Sequence, residues 1–187
     1  MFTRTSASSG ANSPEVTGFY DPATGSVQYV AVCPETRKAA LIDVVQDFDP
    51  AEARSHFDSA SDILAFVKEK GLEVEWVLDT HPHADHLMAS NWLKTQTGAP
   101  NAIGAKVREI GALWEEFYNT PGAFDPDRDF DHLFEDGDTF RLGNLEVRVM
   151  LSPGHTLGSI TYVMGDAAFV HDTFMHVDVG TSRADFP

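Results

Sequence analysis

An apolar run that ends in a cluster of metal-binding side chains constrains this chain more than any other feature. Val74-Glu75-Trp76-Val77-Leu78 reads as a buried strand. Asp79 and Thr80 follow as turn or cap residues. Then come His81, Pro82, His83, Ala84, Asp85 and His86, so three histidines and one aspartate fall inside six residues where a strand gives way to a loop. A helix aligns only residues three or four apart. This spacing therefore needs loop backbone, which can aim all four side chains at one point. Imidazole and carboxylate together suit zinc, iron, manganese or nickel.

The rest of the chain supplies a scaffold of alternating elements. Short strands are expected over 16–20, 26–33 and 39–44, joined by turns at 21–25 and 34–38 as an antiparallel meander. Asp43 is an acid inside the last of these, either a strand-end residue or a partner that orients a metal ligand. A helix over 61–70 carries Ile63, Leu64, Phe66 and Val67 as its apolar stripe, with Ser61 as cap and Gly71 as stop. Helices are also expected over 88–97 and 106–118, with a short strand over 101–103 between them. Strands over 145–151, 159–164 and 167–171 follow, the last two joined by a tight hairpin at Gly165-Asp166. Helices alternating with strands make the fold class α/β. Residues 1–13 are polar and Ser-rich and read as a disordered tail, which leaves 14–187 as one domain.

Two further strands end in potential ligands. Ser152-Pro153-Gly154 breaks the strand over 145–151 and leaves His155 at its end, and Asp172 closes the strand over 167–171. Loops at one edge of a sheet commonly build sites in α/β folds. Two histidines and one carboxylate with open positions suit non-haem Fe(II) and oxygen chemistry. Adding His83, Asp85 and His86 gives enough donors for two metals bridged by Asp172, which suits metal-assisted hydrolysis. Spacing alone leaves both open.

Composition narrows the partners. A formal charge of −16 argues against nucleic acid and against anionic membrane surfaces. An anionic substrate would need a local positive centre, which a metal can supply. Cys33 is the only cysteine, so no internal disulfide forms and a reducing, cytoplasmic setting is expected, with Cys33 a buried structural thiol. Asp125, Asp127, Asp129 and Asp131 alternate as in a calcium loop, but Phe130 sits where such a loop needs glycine, so 119–136 is expected to be a solvated loop beside the site. His56 and His132 read as surface residues.

The Thr-His-x-His-x-Asp-His stretch, Ser-Pro-Gly-His155-Thr and the apolar strand leading to Asp172 together resemble the metallo-β-lactamase fold superfamily. Gly180-Thr-Ser-Arg183-Ala-Asp185-Phe186 resembles a segment of its persulfide (sulfur) dioxygenase branch and bacterial relatives. The resemblance implies an αβ/βα four-layer sandwich, here lacking its C-terminal part. It implies one Fe(II) per chain held by His81, His155 and Asp172, and oxidation of glutathione persulfide or a related small persulfide to sulfite. Asp85 would orient a ligand or a bound water, and Arg183 would meet an anionic substrate. The alternative is a dinuclear zinc thioester hydrolase of the hydroxyacylglutathione hydrolase type, with one or two zinc ions. A non-catalytic metal-binding module is the remaining option, and a homodimer is left open. Lactam hydrolysis is disfavoured, because many such enzymes carry Cys where this chain has Asp172. The family's usual Gly-Asp is His171-Asp172 here, so His171 is expected to pack or to support a ligand, and His176 has no assigned role. The family's further histidine for a second metal is implied beyond Pro187, so one metal is expected: Asp85 and His86 would lack a third donor of their own.

Overall fold

The computed structural model describes residues 2–182. The chain opens with strands β1 (Phe2–Ser6), β2 (Glu15–Tyr20), β3 (Val27–Val32) and β4 (Lys38–Ile42). A ribbon of β5 (Val45–Asp49) and β6 (Arg54–His56) leads to helix α1 (Asp58–Glu69). Next come β7 (Glu73–Leu78), β8 (Leu87–Met88), α2 (Ser90–Thr97), β9 (Asn101–Gly104) and α3 (Val107–Tyr118). The short helix α4 (Pro126–Asp129), β10 (His132–Phe134), β11 (Thr139–Leu142), β12 (Leu145–Leu151), β13 (Ile160–Met164) and β14 (Ala167–Phe169) follow, and a 3-10 turn covers His171–Thr173.

The first sheet runs β1-β2-β3-β4-β7-β9-β10. It is antiparallel from β1 to β4 and parallel from β4 through β7 and β9 to β10. The second sheet, β11-β12-β13-β14, is antiparallel throughout. Alternation along β4 decides the layering. Ala39 and Leu41 face a core shared with Ile63 and Val67 of α1 and Leu93 of α2. Ala40 and Ile42 face the opposite core, shared with Val147, Val149, Ile160 and Tyr162 of the second sheet. The described residues thus stack helices, sheet and sheet. The far face of β12, with Glu146, Arg148 and Met150, is exposed, so the fourth layer that the resemblance implies is not among them.

Several expectations need correction. The polar stretch expected as a tail contains β1, whose residues pair with β2 from Phe2↔Tyr20 to Ser6↔Val16. All of its residues are exposed. Ladder hydrogen bonds need no apolar side chains, so polarity misled the reading. Ser61 does not cap α1. The N-cap is Phe57, without a side-chain bond, and Asp47 of β5 instead accepts from Ser59 N at 2.9 Å. The strand expected to reach His171 stops at Phe169. His171 has a φ of 45°, which ends a ladder. The acidic 119–136 segment contributes no residue to the cavity beside the metal-capable residues described below. Arg108 pairs with Asp127 and Lys94 with Asp131, which fastens the segment to α3 and α2 instead.

The second sheet comes close against the first at Gly104, the last residue of β9. A Cβ there would lie 2.8 Å from Ile160 Cγ2 and 2.9 Å from the Gly158 carbonyl oxygen. Gly104→Ala should therefore overpack the junction and destabilise the protein by about 1–3 kcal/mol. Urea unfolding followed by tryptophan fluorescence measures this, and an unchanged midpoint would show that the sheets can part at no cost.

Candidate metal centre

Three strand ends converge. His81 lies beyond β7, His155 beyond β12 and Asp172 beyond β14. His81 Nε2 lies 3.7 Å and His155 Nε2 3.4 Å from the same oxygen, Asp172 Oδ2. The two imidazole rings stand nearly perpendicular, with centroids 4.8 Å apart. His81 is fully buried, yet its Nε2 has no hydrogen-bond partner. A buried nitrogen left bare costs free energy unless something binds it. The donor set and this bare nitrogen fit a divalent metal.

Hydroxyl groups fix both ring tautomers. Thr80 donates its hydroxyl proton to Asp43 Oδ2 at 2.8 Å, so its oxygen accepts from His81 Nδ1 at 3.0 Å. Thr181 donates to the Asp172 carbonyl at 2.8 Å and accepts from His155 Nδ1 at 2.6 Å. In each case Nδ1 carries a proton and Nε2 is turned toward Asp172, the orientation metal binding needs. Sequence reading saw Thr80 only as a turn or cap and missed Thr181. Their positions, one beside a ligand and one in the Gly180 segment, were the available signal.

Asp43 anchors the arrangement, and its φ of 53° departs from the β4 strand. Its Oδ1 accepts from Thr80 N at 2.7 Å and meets His83 Nε2 at 3.2 Å. Burial would raise the Asp43 pKa, but the His83 hydrogen bond and charge, with His81 and Thr80 N, hold it down at about 2. Neighbouring Asp79 is pushed up to about 7 by burial and by the Asp43 charge. The His81 and His155 rings act on Asp172 to lower its pKa, His81 most strongly, against burial.

The first motif does not aim at one point. Its loop turns His83, Asp85 and His86 into a second three-donor group, with ligand atoms within 4.8 Å of one another. The expectation that Asp85 and His86 lack a third donor is thereby corrected, because His83 sides with them. The ligand-orienting role expected of Asp85 is filled by Asp43. Asp85 is exposed, and Ser26 Oγ donates to it at 3.5 Å. His86 Nδ1 lies 3.0 Å from the Leu87 carbonyl, so that ring presents Nε2. His171 joins neither group. Both of its ring nitrogens are occupied, by Ser152 and by Thr173 N, and burial with the His81 charge lowers its pKa to about 4. His56, His132 and His176 partner Asp58, the Trp76 ring and Asp178. Cys33 is buried, as expected. Arg183 lies outside the described residues.

A cavity of about 400 Å³ opens onto the second group and, in the first, onto Asp172. Tyr29, Val170, Phe174 and Met175 form its apolar wall, and His83, Asp85, His86 and Asp172 its polar side. No helix of the described residues is long and apolar enough to cross a membrane.

Donor groups gathered at the strand ends of a layered α/β sandwich define a metal-binding domain. The chain belongs to the metallo-beta-lactamase superfamily, whose family model matches residues 22–178. It is 54% identical over 174 residues to a "beta-lactamase hydrolase-like protein" of Xylella fastidiosa, covering 93% of this chain and 40% of that one. It is 28% identical over 169 residues to human "persulfide dioxygenase ETHE1, mitochondrial", covering 89% of this chain and 54% of the relative. The crystal structure of ETHE1 from Myxococcus xanthus matches with a TM-score of 0.67 at 30% identity, over 90% of this chain and 61% of that one. The chain thus spans between two fifths and two thirds of the length of these proteins.

Asp172→Ala should abolish tight metal binding, since both Nε2 atoms face the oxygen it removes. Asp43→Asn should weaken binding by roughly 10- to 100-fold, since it loosens the orientation of Thr80, His81 and His83. Metal titration with elemental analysis reads both. Stoichiometric metal retained in Asp172→Ala would sink the shared site.

Proposed function

We propose that this domain forms the active site of a mononuclear non-haem iron dioxygenase that oxidises glutathione persulfide, or a related low-molecular-weight persulfide, to sulfite. The observation that carries this reading is the group of His81, His155 and Asp172, two imidazole nitrogens turned toward a single carboxylate oxygen. Iron held there would supply redox chemistry at coordination positions the protein leaves open. The similarity to persulfide dioxygenases supports the branch.

The remaining work falls to the chain's own residues. Thr80 and Thr181 keep the two rings in the ligand tautomer. Asp43 holds Thr80 and His83 in place from the end of β4. The apolar wall of Tyr29, Val170, Phe174 and Met175 would receive the sulfur end of the substrate and exclude water from it. Arg183, by resemblance, is assigned to an anionic group of the substrate.

A specific observation supports a second reading. His83, Asp85 and His86 form a three-donor group beside the first, which could hold the second metal of a dinuclear zinc thioester hydrolase. One pair of assays separates the two. The Fe(II)-loaded full-length protein should consume oxygen with glutathione persulfide and release sulfite. Fast hydrolysis of lactoylglutathione by the zinc form, with no oxygen uptake, would reverse the ranking. Arg183→Ala should raise KM for glutathione persulfide more than it lowers kcat.

A further inference from the structure

His171 is the one residue beside the metal-capable groups whose backbone is forced into the left-handed region while its ring is fully engaged. Its φ of 45° is disfavoured for any residue with a side chain. Thr173 N donates to His171 Nδ1 at 3.2 Å, so the neutral ring carries its proton on Nε2 and donates it to Ser152 Oγ at 3.1 Å. Ser152 Oγ in turn lies 2.8 Å from Thr161 Oγ1 on β13. Ser152 begins the turn that delivers His155, and His171 begins the turn that delivers Asp172. A second link runs alongside: Thr173 Oγ1 accepts from His155 N at 3.3 Å and donates to the Ser152 carbonyl at 3.5 Å.

We propose that His171 is a positioning residue, a neutral imidazole strut that clamps the Ser152–His155 turn to the Asp172 turn and so sets the separation of His155 and Asp172. The strut rests on the reading of those two residues as metal donors. It is indifferent to whether the metal serves oxygenation or hydrolysis. The left-handed backbone at 171 is what turns the ring back toward Ser152 while Asp172 turns toward His155. Local strain is retained because the ring bonds require it.

The test uses Co(II) alone, with no substrate, on the full-length protein. Affinity is read by competition with a chelator, and ligand geometry by the visible d–d absorption bands. His171→Ala should weaken Co(II) binding by roughly 10- to 100-fold and shift the bands. Ser152→Ala should do the same, and the double variant should lose no more than the worse single variant, because the two residues form one link. His171→Gly relieves the backbone strain as well as removing the ring. It should still lose affinity, whereas recovery to wild-type binding would show that strain, not the strut, was at stake. Wild-type affinity and bands in His171→Ala would overturn the proposal, and so would additive losses with Ser152→Ala. Loss of binding as complete as in Asp172→Ala would overturn it differently, by making the ring a ligand. If His171→Ala does not fold, Ser152→Ala and His171→Gly carry the same comparison. Failure of the wild type to bind Co(II) would sink the metal-centre reading together with the strut.

Discussion

A buried carboxylate at the end of β4 holds the site together. Asp43 is largely buried, and an ionised carboxylate in such a place is costly unless its oxygens are satisfied. The Thr80 amide, the Thr80 hydroxyl and the His83 ring satisfy them. Those bonds do more than offset burial. They join the end of β4 to the loop after β7, which carries the run of histidines. They also orient the hydroxyl that decides which nitrogen His81 offers. Asp79 shows the other side of this arrangement. Two carboxylates this close in a dry interior do not both ionise readily, and Asp79 is the one pushed toward its neutral form.

Everything outside the loops serves to bring three strand ends to one place. The first sheet turns from antiparallel to parallel at β4–β7, and α1 makes that crossover. The second sheet then lies against the face carrying Ala40, Ile42 and Leu78. Two bonds set the register between the layers at the site itself: Ile160 N to the Thr80 carbonyl at 3.0 Å, and the buried Tyr162 hydroxyl to the Asp79 carbonyl at 3.0 Å. The loop carrying His81 is thus pinned to β13, and β13 pairs with both β12 and β14, which carry His155 and Asp172. The ligands belong to loops, but the loops are anchored to rigid strands.

Much of the site was legible because ligand chemistry tolerates few residue types. His81, His155 and Asp172 stood at predicted strand ends, and the structure brings those ends together. Asp43 was visible as an acid in an apolar strand. What stayed hidden depends on contacts between distant segments. Nothing local in Asp47 says that it caps α1, and nothing in the polar first residues says that they add a strand to the sheet. His171 is the sharpest case. Strand alternation predicts a side chain pointing away from Asp172, but the strand stops at Phe169 and the left-handed backbone at 171 sets the direction instead. The division of the first motif into two groups was equally hidden, because residue spacing in a loop says which side chains are near one another and not which way each one faces.

That division makes the two donor groups chemically unequal. His81 and His155 each direct Nδ1 at a neutral hydroxyl oxygen, which turns the other ring nitrogen toward Asp172. His83 instead faces the Asp43 carboxylate. Burial disfavours its charged form, but Asp43 outweighs burial and raises the His83 pKa. An anion as partner favours the imidazolium, and an imidazolium is no ligand until it gives up a proton. A cation entering the His83 group therefore competes with the proton that Asp43 favours on that ring. It must also tolerate any cation already at Asp172, with Asp85 as the only carboxylate of its own group. The first group has a neutral hydroxyl behind each ring instead. The two proposed reactions diverge on whether the second group is filled.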